Sequence, residues 1–140
     1  MKRENFRILV CDDDHSLREI IVNDLYRNFN NIQVIECENG IDGFSQTEAF
    51  RFDLIISDYN MGIAAGDGIS LYKYDRSHSL NCPFIILSGE PQDRFSPYLN
   101  NSGFLYLPKP SALPDLINEI IKLAPQIGLN LNENDQKKIG

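Results

Sequence analysis

Four places in the chain put polar or charged side chains at the end of a short apolar run. Asp12, Asp13 and Asp14 follow FRILVC (Phe6–Cys11), and Asp58 and then Asn60 follow FDLIIS (Phe52–Ser57). Ser88 ends PFIILS (Pro83–Ser88) and precedes Gly89 and Glu90, while Lys109 and Pro110 come just after GFLYL (Gly103–Leu107). Carboxylates held close together repel one another, and a hard divalent cation with oxygen ligands, most naturally Mg²⁺, relieves the repulsion. A lysine and a serine hydroxyl are poor ligands for such an ion but suit a phosphoryl group, the first as a point charge and the second as a donor. Carboxylate nucleophile, metal, lysine and hydroxyl are the parts needed to transfer a phosphoryl group to an aspartate.

These residues act together only if the fold brings the four run ends to one place. Those runs and a fifth, IQVIEC (Ile32–Cys37), are short and rich in branched or aromatic residues, which predicts β-strands. The third and fourth are almost continuously apolar, as strands covered on both faces should be. Helical stripes fill the gaps: Leu17, Ile20, Ile21, Leu25 and Phe29 form one, and Leu113, Leu116, Ile117, Ile120, Ile121 and Ala124 another. Asp14 and Ser111 are placed to N-cap these two helices. Weaker helices are expected near 40–50 and 67–77. Pro91 and Pro97 restrict the fourth helical segment to a turn or two. Strands alternating with helices predict an α/β fold: a doubly wound, five-stranded parallel sheet in a three-layer sandwich with an irregular fourth helix. In such sheets ligands bind beyond the carboxyl ends of the strands, where the singled-out residues fall. The organised domain is expected over 1–124. Residues 125–140 read as a polar tail or linker, in which Ile127, Leu129 and Leu131 would permit a short added strand that is not expected.

A chain of 140 residues suits one domain. With 13 basic and 20 acidic residues, its net charge of −7 argues against a surface built for nucleic-acid phosphates or anionic lipid. Cys11, Cys37 and Cys82 are odd in number and form no Cys-x-x-Cys pair, which fits a reducing cytoplasmic setting. No apolar run has the length of a signal peptide core or a bilayer span. His15 and His78 lack metal-site spacing and read as surface residues, Cys82 as a loop cysteine, and Tyr72 and Tyr74 as packing or surface residues.

Taken in order, ILVCDDDHSLRE, DLIISDYNM, FIILSGE and LPKP resemble the four signature segments of the receiver domain of two-component response regulators, chemotaxis-type single-domain receivers in particular. The resemblance spans about residues 5–124 and implies a flavodoxin-like fold. It casts Asp58 as the phosphoacceptor, charged by a sensor histidine kinase, a phosphotransfer protein or a small phosphodonor. It casts Asp12 and Asp13 as the acidic pair holding Mg²⁺, with Asp58 and the backbone carbonyl of Asn60 as further ligands. Lys109 would pair with Asp58 and then with the phosphoryl oxygens. Ser88 would swing toward the phosphoryl group, with Tyr106 as the switch aromatic that follows it. Gly89 would keep the phosphoryl accessible, Asn60 and Glu90 would tune hydrolysis, and Pro110 would follow a cis peptide bond. The implied output is a changed surface read by a downstream effector protein. The domain would be a switch with intrinsic autophosphorylation and autodephosphorylation chemistry, not an enzyme.

Two segments depart from the family pattern. After Asp58-Tyr59-Asn60-Met61 the usual proline is Gly62, and two residues are added within Gly62–Gly66 before Asp67-Gly68. The proline-broken fourth helix and the Asn101-Ser102-Gly103 turn alter the usual dimer face, so a monomer or weak dimer is expected. Haloacid-dehalogenase-type phosphatases offer a rival reading through Asp12-x-Asp14, but no acidic pair follows Lys109 and Asp58 is left without a role. The alternative that remains is a pseudo-receiver, an interaction module that works without phosphorylation.

Overall fold

A computed structural model describes residues 6–60, 71–73, 82–99, 103–109, 112–127 and 131–132. In chain order its elements are β1 (Phe6–Cys11), α1 (His15–Asn28), β2 (Ile32–Cys37), α2 (Gly40–Ala49), β3 (Leu54–Asp58), β4 (Phe84–Ser88), a 3-10 turn (Gln92–Phe95), β5 (Phe104–Pro108) and α3 (Ala112–Ile127). All sheet pairings are parallel, in the order β2-β1-β3-β4-β5. This is the five-stranded parallel arrangement expected from the alternation of runs, in the flavodoxin-like form that the resemblance implies. Pro110, Ser111, the insertion at Gly62–Gly66, His78, Tyr74 and most of the helix expected over 67–77 lie outside the described residues.

The period-two geometry of strands sorts the apolar side chains onto two faces. Phe6, Ile8, Val10, Leu54, Ile56, Ile85 and Leu87 pack on one side with Ile21 and Leu25 of α1 and Leu116 and Ile120 of α3. Leu9, Cys11, Ile55, Phe84 and Ile86 pack on the other with Leu71, Tyr72 and Phe95. Tyr72 is thus a core aromatic, set edge-on to Phe84 and Phe104. Cys82 is buried as well, just ahead of β4.

Local signals account for the helix ends. The Asp14 carboxylate accepts from the Leu17 amide at 3.1 Å and caps α1, and Asn39 caps α2 by accepting from the Asp42 amide at 2.8 Å. Within α1 the buried positions are Arg18, Ile21 and Leu25, whereas Ile20, expected on the inner stripe, is 47% exposed. Gly103 has φ 81°, a left-handed backbone that glycine adopts without strain, and its carbonyl accepts from the Phe84 amide at 2.6 Å as β5 begins. The fourth helical segment is indeed short, a single 3-10 turn.

Two boundaries shift. β3 starts at Leu54 and ends on Asp58, because the Asp53 carboxylate takes the Arg7 amide at 2.9 Å and Asp58 itself pairs with Leu87. Helix α3 runs through Pro125 to Ile127, three residues past the expected domain end at 124. A proline in the last turn removes one intrahelical hydrogen bond, which a long amphipathic helix tolerates. Beyond it, Leu131 is buried and bridges to Phe29 in antiparallel sense, and the Asn132 amide donates to Asn28 O at 2.8 Å. Leu131 therefore belongs to the core and is joined to Phe29 by a bridge, while residues 128–130, on which the permitted short strand would fall, lie outside the described residues.

Candidate functional site

The strand order reverses direction between β1 and β3, which opens a crevice at their carboxyl ends. Register then determines which side chains meet there. Cys11 pairs with Ser57, so Asp12 emerges beside Asp58, the last residue of β3. Ser88 ends β4 opposite Pro108, which sets Lys109 one residue beyond. Asp12, Asp13, Asp58, Ser88 and Lys109 all arrive at this edge.

One carboxylate oxygen from each of Asp12, Asp13 and Asp58 lies within 4.8 Å of the others. Asp12 and Asp58 are buried, at 1% and 6% exposure, whereas Asp13 stands exposed at the mouth. Lys109 Nζ spans the two buried carboxylates, 3.0 Å from Asp12 Oδ2 and 3.2 Å from Asp58 Oδ1. The resemblance implies a pairing with Asp58 alone; the structure adds Asp12 as a second partner. The remaining oxygen of Asp12 accepts from the Asp14 amide at 2.8 Å.

Burial and the nearby charge of Asp12 push the Asp58 carboxyl up to about 6, against the pull of Lys109 and of a hydrogen bond from the Asn60 backbone. Burial alone would lower Lys109, but its hydrogen bonds to Asp12 and Asp58 and their charges outweigh it and hold the ammonium above the usual lysine range. Three carboxylates against one ammonium leave surplus negative charge in a partly desolvated, all-oxygen pocket. That donor set fits a hard divalent cation such as Mg²⁺.

Ser88 is buried, and its Oγ accepts from the Glu90 amide at 2.9 Å. The hydroxyl of half-buried Tyr106 donates to the Glu90 carbonyl at 2.8 Å, and its ring lies 5.3 Å from that of Phe95. Ser88 and Tyr106 thus hold the backbone of one residue from both sides. The Glu90 carboxylate lies 3.5 Å from Arg94 Nε, and Asn60 is exposed at the rim. At Gly89 an added Cβ would meet no atom within 4 Å, so packing within the described residues does not demand glycine there.

Arg18 is a supporting residue the motif reading passed over. It is 6% exposed, and its guanidinium donates to the Asp12 carbonyl at 2.6 Å and to Glu36 Oε1 at 3.0 Å, with His15 Nδ1 at 3.0 Å. It braces the loop that carries the acidic residues. A signal was present in the sequence: a charged residue at the head of the inward stripe Arg18, Ile21 and Leu25.

Residues 8–121 match the family model for the response regulator receiver domain. The response regulator MprA of Mycobacterium avium is 30% identical over 113 residues, which cover 79% of this chain and 47% of that protein. The chain spans about half the length of the curated relatives it matches. The receiver domain of the Francisella response regulator 1452 has 30% identity and a TM-score of 0.74, over 87% of this chain and 98% of that one. The response regulator TrrA of Thermotoga maritima in complex with Mg²⁺-BeF has 23% identity and a TM-score of 0.68, over 84% and 98% of the two chains. Among the described residues, no helix is long and apolar enough to cross a membrane.

Proposed function

Because the chain belongs to the response regulator receiver domain family, we propose that Asp58 is the phosphoacceptor of a phosphorylation-dependent signalling switch. The observation that carries this reading is the partly neutralised carboxylate cluster at one sheet edge, with Lys109 Nζ 3.2 Å from Asp58 and 3.0 Å from Asp12. An Asp58 oxygen attacks phosphorus in line, the bond to the donor breaks, and an acyl phosphate forms on Asp58. The donor is the phosphohistidine of a sensor histidine kinase or phosphotransfer protein, or a small acyl phosphate. Lys109 is already charged and in place, so it offsets charge on the equatorial oxygens without rearrangement. Asp12, Asp13, Asp58 and the Asn60 carbonyl are the groups that would hold Mg²⁺, which when bound adds positive charge beside the phosphoryl oxygens. A Mg²⁺-BeF complex of the structurally similar TrrA supports that choice of ion.

Ser88 is the relay. Its Oγ accepts from the Glu90 amide, so the hydroxyl proton can be donated to a phosphoryl oxygen, and any shift of Ser88 toward that oxygen pulls on the Glu90 backbone that also anchors Tyr106. Tyr106 and the neighbouring 3-10 turn then repack, and a local charge becomes a changed surface for a downstream effector protein. Water attacking the same phosphorus resets the switch, with Asn60 and Glu90 flanking its approach. The partners are proteins in the cytoplasm, with no direct part for nucleic acid or membrane in this domain. Residues 1–124, extended by the last turn of α3 and by Leu131, make up the working unit.

Incubation with Mg²⁺ and acetyl phosphate, followed by intact mass measurement, tests this reading. The protein should gain one phosphoryl group, and Asp58→Asn should gain none. No gain from acetyl phosphate, phosphoramidate or a phosphorylated histidine phosphotransfer protein would overturn it in favour of a module that binds without phosphorylation.

A further inference from the structure

We infer that Cys11 and Cys37 are a modification site, a thiol pair that a hydroperoxide converts to a reversible disulfide in the folded protein. The two residues are register partners at the carboxyl ends of adjacent parallel strands β1 and β2. Neighbouring strands lie about 4.8 Å apart, inside the span of roughly 4.4–6.8 Å that disulfides bridge between Cα atoms. Both side chains belong to the same core cluster, so they project to one face of the sheet. The Asp12 amide donates to the Cys37 carbonyl at 3.0 Å and holds the two strand ends in this register. Helix α2 closes over the pair. A Cβ on Gly43 would lie 3.2 Å from Cys11 Sγ, so that glycine leaves the space the sulfur occupies.

Both cysteines are free, at 1% and 5% exposure. Burial excludes bulky disulfide reagents and favours a small oxidant. Cys37, the less buried of the two, attacks the terminal peroxide oxygen: an S–O bond forms, the O–O bond breaks, the other oxygen leaves as water or an alcohol, and the sulfur becomes a sulfenic acid. The Cys11 thiol then attacks that sulfur, forming the S–S bond and releasing water. Two thiols lose two electrons and two protons, and one peroxide is reduced. Cys82, whose thiol donates to the Pro83 carbonyl at 3.4 Å, has no part in this and serves as an internal control.

The pair is independent of the phosphoacceptor reading, and its test needs no phosphodonor. The folded protein is treated with hydrogen peroxide, unfolded in an alkylating agent, and analysed by intact mass and peptide mapping. The expected result is loss of two hydrogens, a cross-link between the Cys11 and Cys37 peptides, and alkylation of Cys82 alone. Dithiothreitol should reverse the change, Cys82→Ser should keep it and Cys37→Ser should abolish it. Three alkylated cysteines after treatment, a cross-link through Cys82, or a link formed only in urea would overturn the inference.

Discussion

Ionised Asp58 should weaken the metal-free fold, and Asp58→Asn should therefore stabilise it above neutral pH. Burial and Asp12 hold the folded carboxyl at about 6, against an ordinary value of 3.8. Between those values the folded protein keeps a proton that the unfolded chain has released. Stability therefore falls as pH rises through this window, and the loss is complete above about 6. At about 1.4 kcal/mol per pH unit the gap corresponds to about 3 kcal/mol. Water at the mouth of the site screens part of it, which leaves about 1–2 kcal/mol. Asparagine keeps the shape and still offers an oxygen to the Asn60 amide. Lys109 retains Asp12. Urea titrations in EDTA should place the Asp58→Asn midpoint above wild type at pH 7.5, by about 0.5–1 M, and the two curves should converge near pH 4. Added Mg²⁺ should stabilise wild type more than the variant. A variant no more stable than wild type at pH 7.5, or a difference unchanged between pH 4 and 7.5, would refute the electrostatic account of the site.

Arg18→Met should cost about 2–4 kcal/mol, since it strips a buried brace from the Asp12 carbonyl and leaves Glu36 unpaired; a denaturation midpoint within error of wild type would contradict that role. Leu131→Ala should cost about 2 kcal/mol in the same assay if the side chain is core, and nothing if the residues after α3 are a solvated tail.

The elements were legible wherever burial is simple. Phe6–Cys11 and Ile32–Cys37 form strands with the bounds their apolar runs predict. β4 was found to within a residue at either end, because a strand buried on both faces needs continuous apolar sequence, and so was β5, a half-buried edge strand whose run is short and aromatic. Phe52 misled at the start of β3. It is apolar and buried, but Asp53 bonds back to Arg7 and ladder pairing with β1 begins at Leu54. Pro125 misled at the end of α3, because a proline makes a helix end more frequent without fixing it, and here the helix continues through the proline to Ile127.

What the sequence by itself determined is the cast of the site: Asp12, Asp13, Asp58, Ser88 and Lys109 each sit at the end of a strand-forming run, and parallel strands present those ends together. Only the tertiary structure decided who touches whom. Lys109 reaches Asp12 across 97 positions of chain, Arg18 grips the Asp12 carbonyl, Glu90 links Ser88 to Tyr106, and Cys11 lies against Cys37. Periodicity along a chain specifies the face and the end on which a side chain emerges. Strand order and register specify its neighbours, and the energy of a charge or a thiol depends on its neighbours.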